Sequence, residues 1–289
     1  ALAEEIEFHN NMIAMKQLDN IAVSHTTPRY NWKAGQVYVP WDDADPQIFT
    51  KQFYCITDEF KVYKCLKRGP GASVQKPSQT NGDIPEYESD GYLWKFMCLI
   101  DAGMADKFIT NNFMPIRTAL STDLIDDNVF YYDQYQRQLT AKASTDGSVF
   151  NVVQISGGSA YNVATTTATI VGDGTGASCD VVIAGGVITE INMNTWGQNY
   201  RNAKIQIIDT DPTTPGSGAE FRVVLPPTYG HGWDPVRELG CYYSIVNAKL
   251  EGEDGEGDFI VKASFRQVGL VKNPIDTLTG VTSTLPYMS

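Results

Sequence analysis

Between residues 151 and 225 the sequence repeats itself, and that repeat leaves few folds open. GGSAY (157–161) returns as WGQNY (196–200), which sets Gly158 against Gly197 and Tyr161 against Tyr200 at a shift of 39 residues. GTGA (174–177) returns as GSGA (216–219) at a shift of 42, the three extra residues falling around Asp209 to Pro215. Each copy reads strand, Gly turn, Tyr, strand, Gly turn, strand, with period-two alternation in CDVVI, VITEINM, KIQIID and FRVVL. Two copies are too few for a solenoid, so they are expected to pair with each other into a small β module protruding from the domain they interrupt. GDGTGA has the look of a phosphate cradle, but strands flank it on both sides and no GK[ST] follows, so it reads as a tight turn.

The repeat stops at LPPTYGHGWDPVRELGC (225–241). Pro226 and Pro227 remove two backbone donors and end the strand before them. Gly230 and Gly232 open backbone shapes closed to other residues, which leaves His231 and Trp233 on a sharply bent loop. Asp234 suits an N-cap, Pro235 the first helical position and Gly240 the helix end. The His beside Asp, Arg and Glu has the elements of a catalytic loop, but no nucleophile or metal-ligand partner lies at a telling spacing, so the stretch is read as a structural corner.

Ahead of the repeat, apolar residues at Ile6, Phe8, Met12, Ile13, Met15 and Leu18 fit one face of a helix over Glu4 to Leu18. Ile21 to Val39 reads as strand-like, with IAV and QVYV as the pairing segments. Lys51 to Thr57 and Phe60 to Leu66 read as a hairpin. KVYKCLKR (61–68) is expected to be a strand with a solvated face. DGYLWKFMCLI (90–100) is apolar on both sides apart from Lys95 and predicts a central buried strand. Asp101 to Phe108 suits one or two helical turns, and Asn111 to Gln138 is mixed. After the corner, Tyr242 to Leu250 and Phe259 to Val271 read as strands around the acidic turn EGEDGEGD. The fold class expected is mainly β with a few short helices (α+β). Its β-sandwich-like core is discontinuous, 1–150 and 226–289, and residues 151–225 form the inserted repeat module.

Composition excludes several functions. At 289 residues with 42% hydrophobic and 19% charged residues the chain is a folded globular protein. A net charge of −12 disfavours nucleic acid, which needs clustered Lys and Arg. No apolar run approaches membrane-spanning length. Five cysteines, none in a CxxC, cannot all pair and are read as buried free thiols in a reducing compartment. Three acidic clusters invite other readings. WDDADPQ (41–47) lacks the Gly and closing Glu of a calcium loop. Asp123, Asp126 and Asp127 read as helix-terminus charge. EGEDGEGD reads as a solvated hairpin tip. No catalytic residue, cofactor or metal site is therefore expected. The chain opens on Ala with no signal peptide and is expected to belong to a longer polypeptide.

Several stretches in order, MIAMKQL (12–18), NWKAGQVY (31–38), FYCITDEFKVYKCL (53–66), KPS (76–78), SDGYLWKFMCLI (89–100), LPPTYGHGWDPVRELG (225–240) and FRQVGLVKNP (265–274), resemble a phage protein family. It is the dimeric baseplate wedge protein of T4-like contractile-tailed phages, the product of their eighth gene, in its marine-phage form. The strand DGYLWKF and the GHG-to-RELG corner are the specific motifs; the Gly/Tyr repeat is widespread in phage tails. The family's N-terminal arm has no counterpart here, and the repeat module is not shared with the T4 protein.

The resemblance implies a non-enzymatic structural protein of the virion tail baseplate, assembled in the host cytoplasm. It further implies a homodimer that connects other wedge subunits, similar to the products of genes six, seven and ten. Interface anchors tend to be aromatic or Arg, which makes Tyr131, Tyr132, Tyr135, His231 and Trp233 the candidate contact residues, with the Arg68 to Asp90 loop beside them. The alternative is a carbohydrate- or receptor-binding tail module that uses exposed Tyr161, Trp196 and Tyr200 as stacking rings.

Overall fold

The computed structural model describes residues 6, 7, 10, 16–121, 129–253, 256–257 and 265–273. The first strands are β1 (Val23–Pro28), β2 (Tyr54–Ile56), β3 (Lys61–Lys67), β4 (Glu86–Tyr87), β5 (Leu93–Leu99) and β6 (Phe113–Pro115). The repeat supplies β7 (Asn151–Ser159), β8 (Thr166–Gly172), β9 (Thr175–Ala184), β10 (Val187–Gln198), β11 (Ala203–Asp209) and β12 (Ser217–Val224). The last strands are β13 (Tyr243–Leu250), β14 (Gly252–Glu253), β15 (Glu256–Gly257) and β16 (Phe265–Lys272). Helices α1 (Ala102–Phe108), α2 (Val129–Thr145) and α3 (Pro235–Glu238) join them, so the fold is mainly β, of the α+β kind.

Two compact units share these elements. One gathers Ala1–Pro28, Ala102–Arg117 and Cys241–Ser289; the other holds Arg29–Asp101 and Thr118–Gly240. In the first, an antiparallel sheet runs β16-β13-β1-β6. In the second, β2-β3-β5-β4 form an antiparallel sheet, and the repeat strands pair only among themselves. The predicted hairpin is β2 and β3, and β5 is buried along nearly all its length. Around these strands Tyr38, Tyr63, Tyr92, Trp94 and Phe96 pack with Cys55 and Cys65 into one core cluster. All five cysteines are buried and none forms a disulfide.

Within the repeat each outer strand pairs with an outer strand of the other copy. β7 pairs with β12, setting Gly157 opposite Ala219, and β10 pairs with β9, setting Trp196 opposite Ala177. The middle strands β8 and β11 pair with each other. The signature residues are cross-locked. A Cβ on Gly216 would lie 2.2 Å from the ring of Tyr161, and one on Gly174 would lie 2.4 Å from the ring of Tyr200. Each copy's tyrosine therefore lies against the other copy's glycine. Both rings are buried in a common core with Ile188, Ile191, Phe221 and Val223.

Several expectations differ from the structure. IAV lies mostly in a 3-10 turn over Asn20–Ala22 and only its Val23 enters β1, and QVYV makes only the Gln36–Ser73 bridge. Of the N-terminal helix, Ile6, Glu7 and Asn10 are helical while 16–19 are not; His9 and Met12 to Met15 lie outside the described residues. Asp123, Asp126 and Asp127 lie outside them too, as does most of Phe259 to Phe265. The mixed stretch ending at Gln138 holds the start of the 17-residue helix α2, whose buried stripe, Gln134, Gln138, Ala141 and Thr145, follows helical spacing without being hydrophobic. Gln138 replaces apolar packing with two hydrogen bonds to the backbone of Ala119, accepting from its N–H at 2.9 Å and donating to its carbonyl at 3.0 Å.

The cross-locked turns can be tested by adding one methyl group. Gly158 (φ 64°) and Gly197 (φ 60°) each face partner backbone at 2.5 Å from a built Cβ, whereas Gly185 (φ 60°) meets nothing within 4 Å. Gly158→Ala and Gly197→Ala are expected to lose about 2–4 kcal/mol each in urea unfolding, from left-handed backbone cost plus overpacking. Gly185→Ala should lose only about 1–2 kcal/mol. Equal losses at all three sites would mean that the close approach contributes nothing.

Candidate functional site

Two lysines stand directly opposite each other in the middle of the β3–β5 ladder, Lys64 against Lys95, and both are 0% exposed. An ammonium without water needs a counter-charge or a full set of acceptors. The sequence provides them from the corner 174 residues further on. Asp234 caps α3 by accepting from the Arg237 N–H, and Pro235 starts the helix. One turn later the carboxylate of Glu238, 3% exposed, points back into the unit.

Glu238 is the hub. Its Oε2 accepts from Lys64 Nζ at 2.9 Å, and its Oε1 accepts from the backbone N–H of Gly232 at 2.7 Å and of Asp234 at 3.2 Å. Lys64 Nζ also lies 3.9 Å from the centre of the Trp41 ring. Lys95 Nζ donates to the carbonyl of Gly82 at 2.7 Å and to that of Asp83, so it ties the Arg68 to Asp90 loop to the strand beneath. Gly232 holds φ 95°, a backbone shape that residues with side chains rarely adopt, and a Cβ there would sit 2.8 Å from Lys95 Cε. His231 is buried between the rings of Trp41 and Phe150, with its Nδ1 3.8 Å from Glu238 Oε2, beyond hydrogen-bond reach.

The electrostatics follow from burial and from who neighbours whom. Burial opposes ionisation of Glu238, but the ammonium of Lys64 at 2.9 Å overcomes it and holds its pKa at about 2. Burial lowers Lys95 to about 8 and lowers Lys64 against the pull of Glu238. Burial and the positive charge of Lys64 push His231 down to about 3, so the imidazole is neutral across the physiological range. The cluster is a sealed brace holding the corner and the loop to one sheet.

The solvated face expected of KVYKCLKR is corrected by this arrangement: β3 is buried from Val62 to Leu66 because Glu238 neutralises Lys64. The signal for the brace was present as lysines with apolar neighbours on both sides in the strand, at 64 and 95. Each implied a distant carboxylate or carbonyl partner.

The candidate contact residues fall in different places. His231 is buried, so it presents no surface to a partner; it packs in the brace instead. Trp233 is half-buried, with Lys142 Nζ 4.6 Å from its ring and 4.2 Å from that of Tyr229. On α2, Tyr131 is half-buried and donates to Asp101 Oδ2 at 3.0 Å, Tyr132 is 49% exposed, and Tyr135 is half-buried. Tyr161 and Tyr200 are core residues of the repeat, so the sugar-stacking surface expected of them with Trp196 is not formed.

The acidic turn 41–47 is occupied by cations of the protein itself. Arg222 on β12 reaches Asp42 at 2.5 Å and Asp43 at 3.1 Å, while Asp45 pairs with Lys51. Lys67 pairs with Glu190 at 2.7 Å and Arg201 with Asp146 at 2.7 Å, which makes three ties between the repeat strands and the rest of their unit. No group of three or more His, Cys, Asp or Glu able to hold a metal ion occurs among the described residues. No helix among them is long and apolar enough to cross a membrane. No protein-family model, curated protein or solved structure matches the chain.

Two measurements probe the brace. Lys64→Met and Glu238→Gln each leave a buried group without its partner and should lose about 3–5 kcal/mol in urea unfolding. The double variant should lose less than the sum, because neither change strands a charge once the other is made. The pH dependence has a definite sign. His231 has a folded pKa of about 3, so between pH 6.5 and 3 only the unfolded chain takes up its proton. Stability should therefore fall with acidification by about 1.4 kcal/mol per pH unit from this group. Between pH 6.5 and 4.5 His231→Gln should flatten that slope; an unchanged slope would show that the imidazole is not held neutral.

Proposed function

We propose that this chain is a structural component of a phage contractile-tail baseplate wedge, a homodimeric scaffold that holds other wedge subunits at fixed angles. One observation carries the reading. The two most specific stretches of the resemblance meet in the brace: Lys95 belongs to DGYLWKF, and His231, Gly232 and Glu238 belong to the GHG-to-RELG corner. Motifs more than 130 residues apart in sequence thus serve one internal joint. A joint of that kind supports an architectural role, in which angles between surfaces are the product.

The three ion-pair ties from the repeat to its unit support the same reading, since a spacer must transmit force without folding back on itself. Assembly would take place in the host cytoplasm, a compartment in which five thiols outside any disulfide remain reduced. Among the candidate anchors, Tyr132 is the ring with the largest free face, while the Tyr131 hydroxyl is already engaged by Asp101. The partners proposed are a second copy and subunits resembling the products of genes six, seven and ten.

Sedimentation of the purified chain, alone and co-expressed with those wedge subunits, tests the proposal. A dimer that co-purifies with at least one of them is expected; a monomer that joins none of them overturns it. Tyr132→Ala should weaken the dimer about tenfold or more without lowering the melting temperature, as truncation of an interface anchor does. Tyr131→Ala should instead lower stability, by about 1 kcal/mol for the lost hydrogen bond.

A further inference from the structure

β16 is the outer strand of the β16-β13-β1-β6 sheet, and its second edge pairs with no other strand among the described residues. It is eight residues long and meets β13 in an unbroken register from Tyr243–Lys272 to Leu250–Phe265, with no bulge to twist the edge away. Sheet edges are ordinarily shortened, bulged, covered or charged, and of these devices β16 has only the charges of Arg266 and Lys272. This one is long, regular and exposed on both faces from Arg266 to Lys272, with Val268 at 50%, Leu270 at 44% and Val271 at 46%.

The alternation of a strand puts Arg266, Val268, Leu270 and Lys272 on one face. The order along that face is cation, apolar, apolar, cation, and the two cations lie about 20 Å apart at the rise of an extended strand. On the same face of β13, Lys249 stands directly opposite Arg266, a like-charge neighbour that an added anion relieves. Glu251 reaches Lys249 at 2.8 Å. Among the described residues no ion pair reaches Arg266 or Lys272; Lys272 lies 5.9 Å from the Tyr243 ring. Across Tyr243–Leu250 and Phe265–Lys272 the sequence has three cations and no carboxylate, on a chain of net charge −12. The edge is thus a local reversal of the molecule's sign.

We infer that β16 is a docking edge for an extended segment of another protein, added as a further strand, whose facing residues run carboxylate, apolar, apolar, carboxylate. Backbone hydrogen bonds along the open edge supply affinity; the charge order selects the sequence and its placement. A second copy of this chain fits less well, because its β16 would bring the same two cations to the edge and no carboxylate. The inference goes beyond the wedge proposal and does not depend on it, since its test uses the purified chain with no other tail protein.

The probe is the labelled peptide Asp-Thr-Val-Thr-Val-Thr-Asp, compared with Lys-Thr-Val-Thr-Val-Thr-Lys, by fluorescence anisotropy and by hydrogen exchange on the full chain. The acidic peptide should bind at least tenfold tighter, weaken by roughly tenfold between low and high salt as screening removes the charge term, and slow exchange at residues 265–272. The exposed double variant Arg266→Glu/Lys272→Glu should invert the preference toward the lysine peptide; if it fails to fold, Arg266→Gln/Lys272→Gln should abolish the preference. Equal binding of both peptides, no binding, or binding without protection of β16 overturns the inference. So does concentration-dependent protection of β16 in the protein alone, which would assign the edge to a second copy.

Discussion

The contact between Lys64 and Glu238 is the one on which the second unit is arranged. A ladder that places two lysines face to face in a dry interior is unfavourable by itself, since each ammonium gives up its hydration. The cost is met by the corner, which sends one carboxylate to Lys64, and by the loop, which offers two carbonyls to Lys95. Because an apolar pair of the same size can be as stable as a buried ion pair, the arrangement is better explained by placement than by strength. A carboxylate with three donors has one address, whereas a leucine has many.

That address fixes a bend. Tyr229, Gly230 and Gly232 all hold positive φ, and Gly230 lies so close to Thr145 at the end of α2 that any side chain would collide with it. Strain of this sort persists only where the surroundings over-determine it. Glu238 receives the N–H groups on either side of Trp233 and so holds the strained turn against the sheet. The repeat leaves this joint through β12, and its position is set again by Arg222 on Asp42 and Asp43. Ties that are partly exposed weaken with salt, while the joint itself is out of reach of ions.

Much of this was legible in the sequence, and the misses have physical causes. The repeat disclosed its strands and its turns because period-two alternation and paired glycines are local signals. Asp234, Pro235 and Gly240 marked α3 because capping chemistry is local as well. Helix α2 was hidden because Gln134, Gln138 and Thr145 take the core positions that hydrophobic residues usually hold. The brace was hidden because its members come from β3, β5 and α3, and no local rule joins a lysine to a carboxylate 174 residues away. QVYV has the composition of a strand yet makes a single bridge, since tertiary placement overrides propensity.

The crossed packing of the two repeat copies carries a consequence for how such a module comes into being. A solitary copy would have a tyrosine ring with no glycine to lie on, and outer strands whose mates are missing. The smallest closed object is therefore a pair. Ancestral variation could lengthen the segment at 209–215, which belongs to one copy alone, but it could not delete a single repeat without unmaking the other.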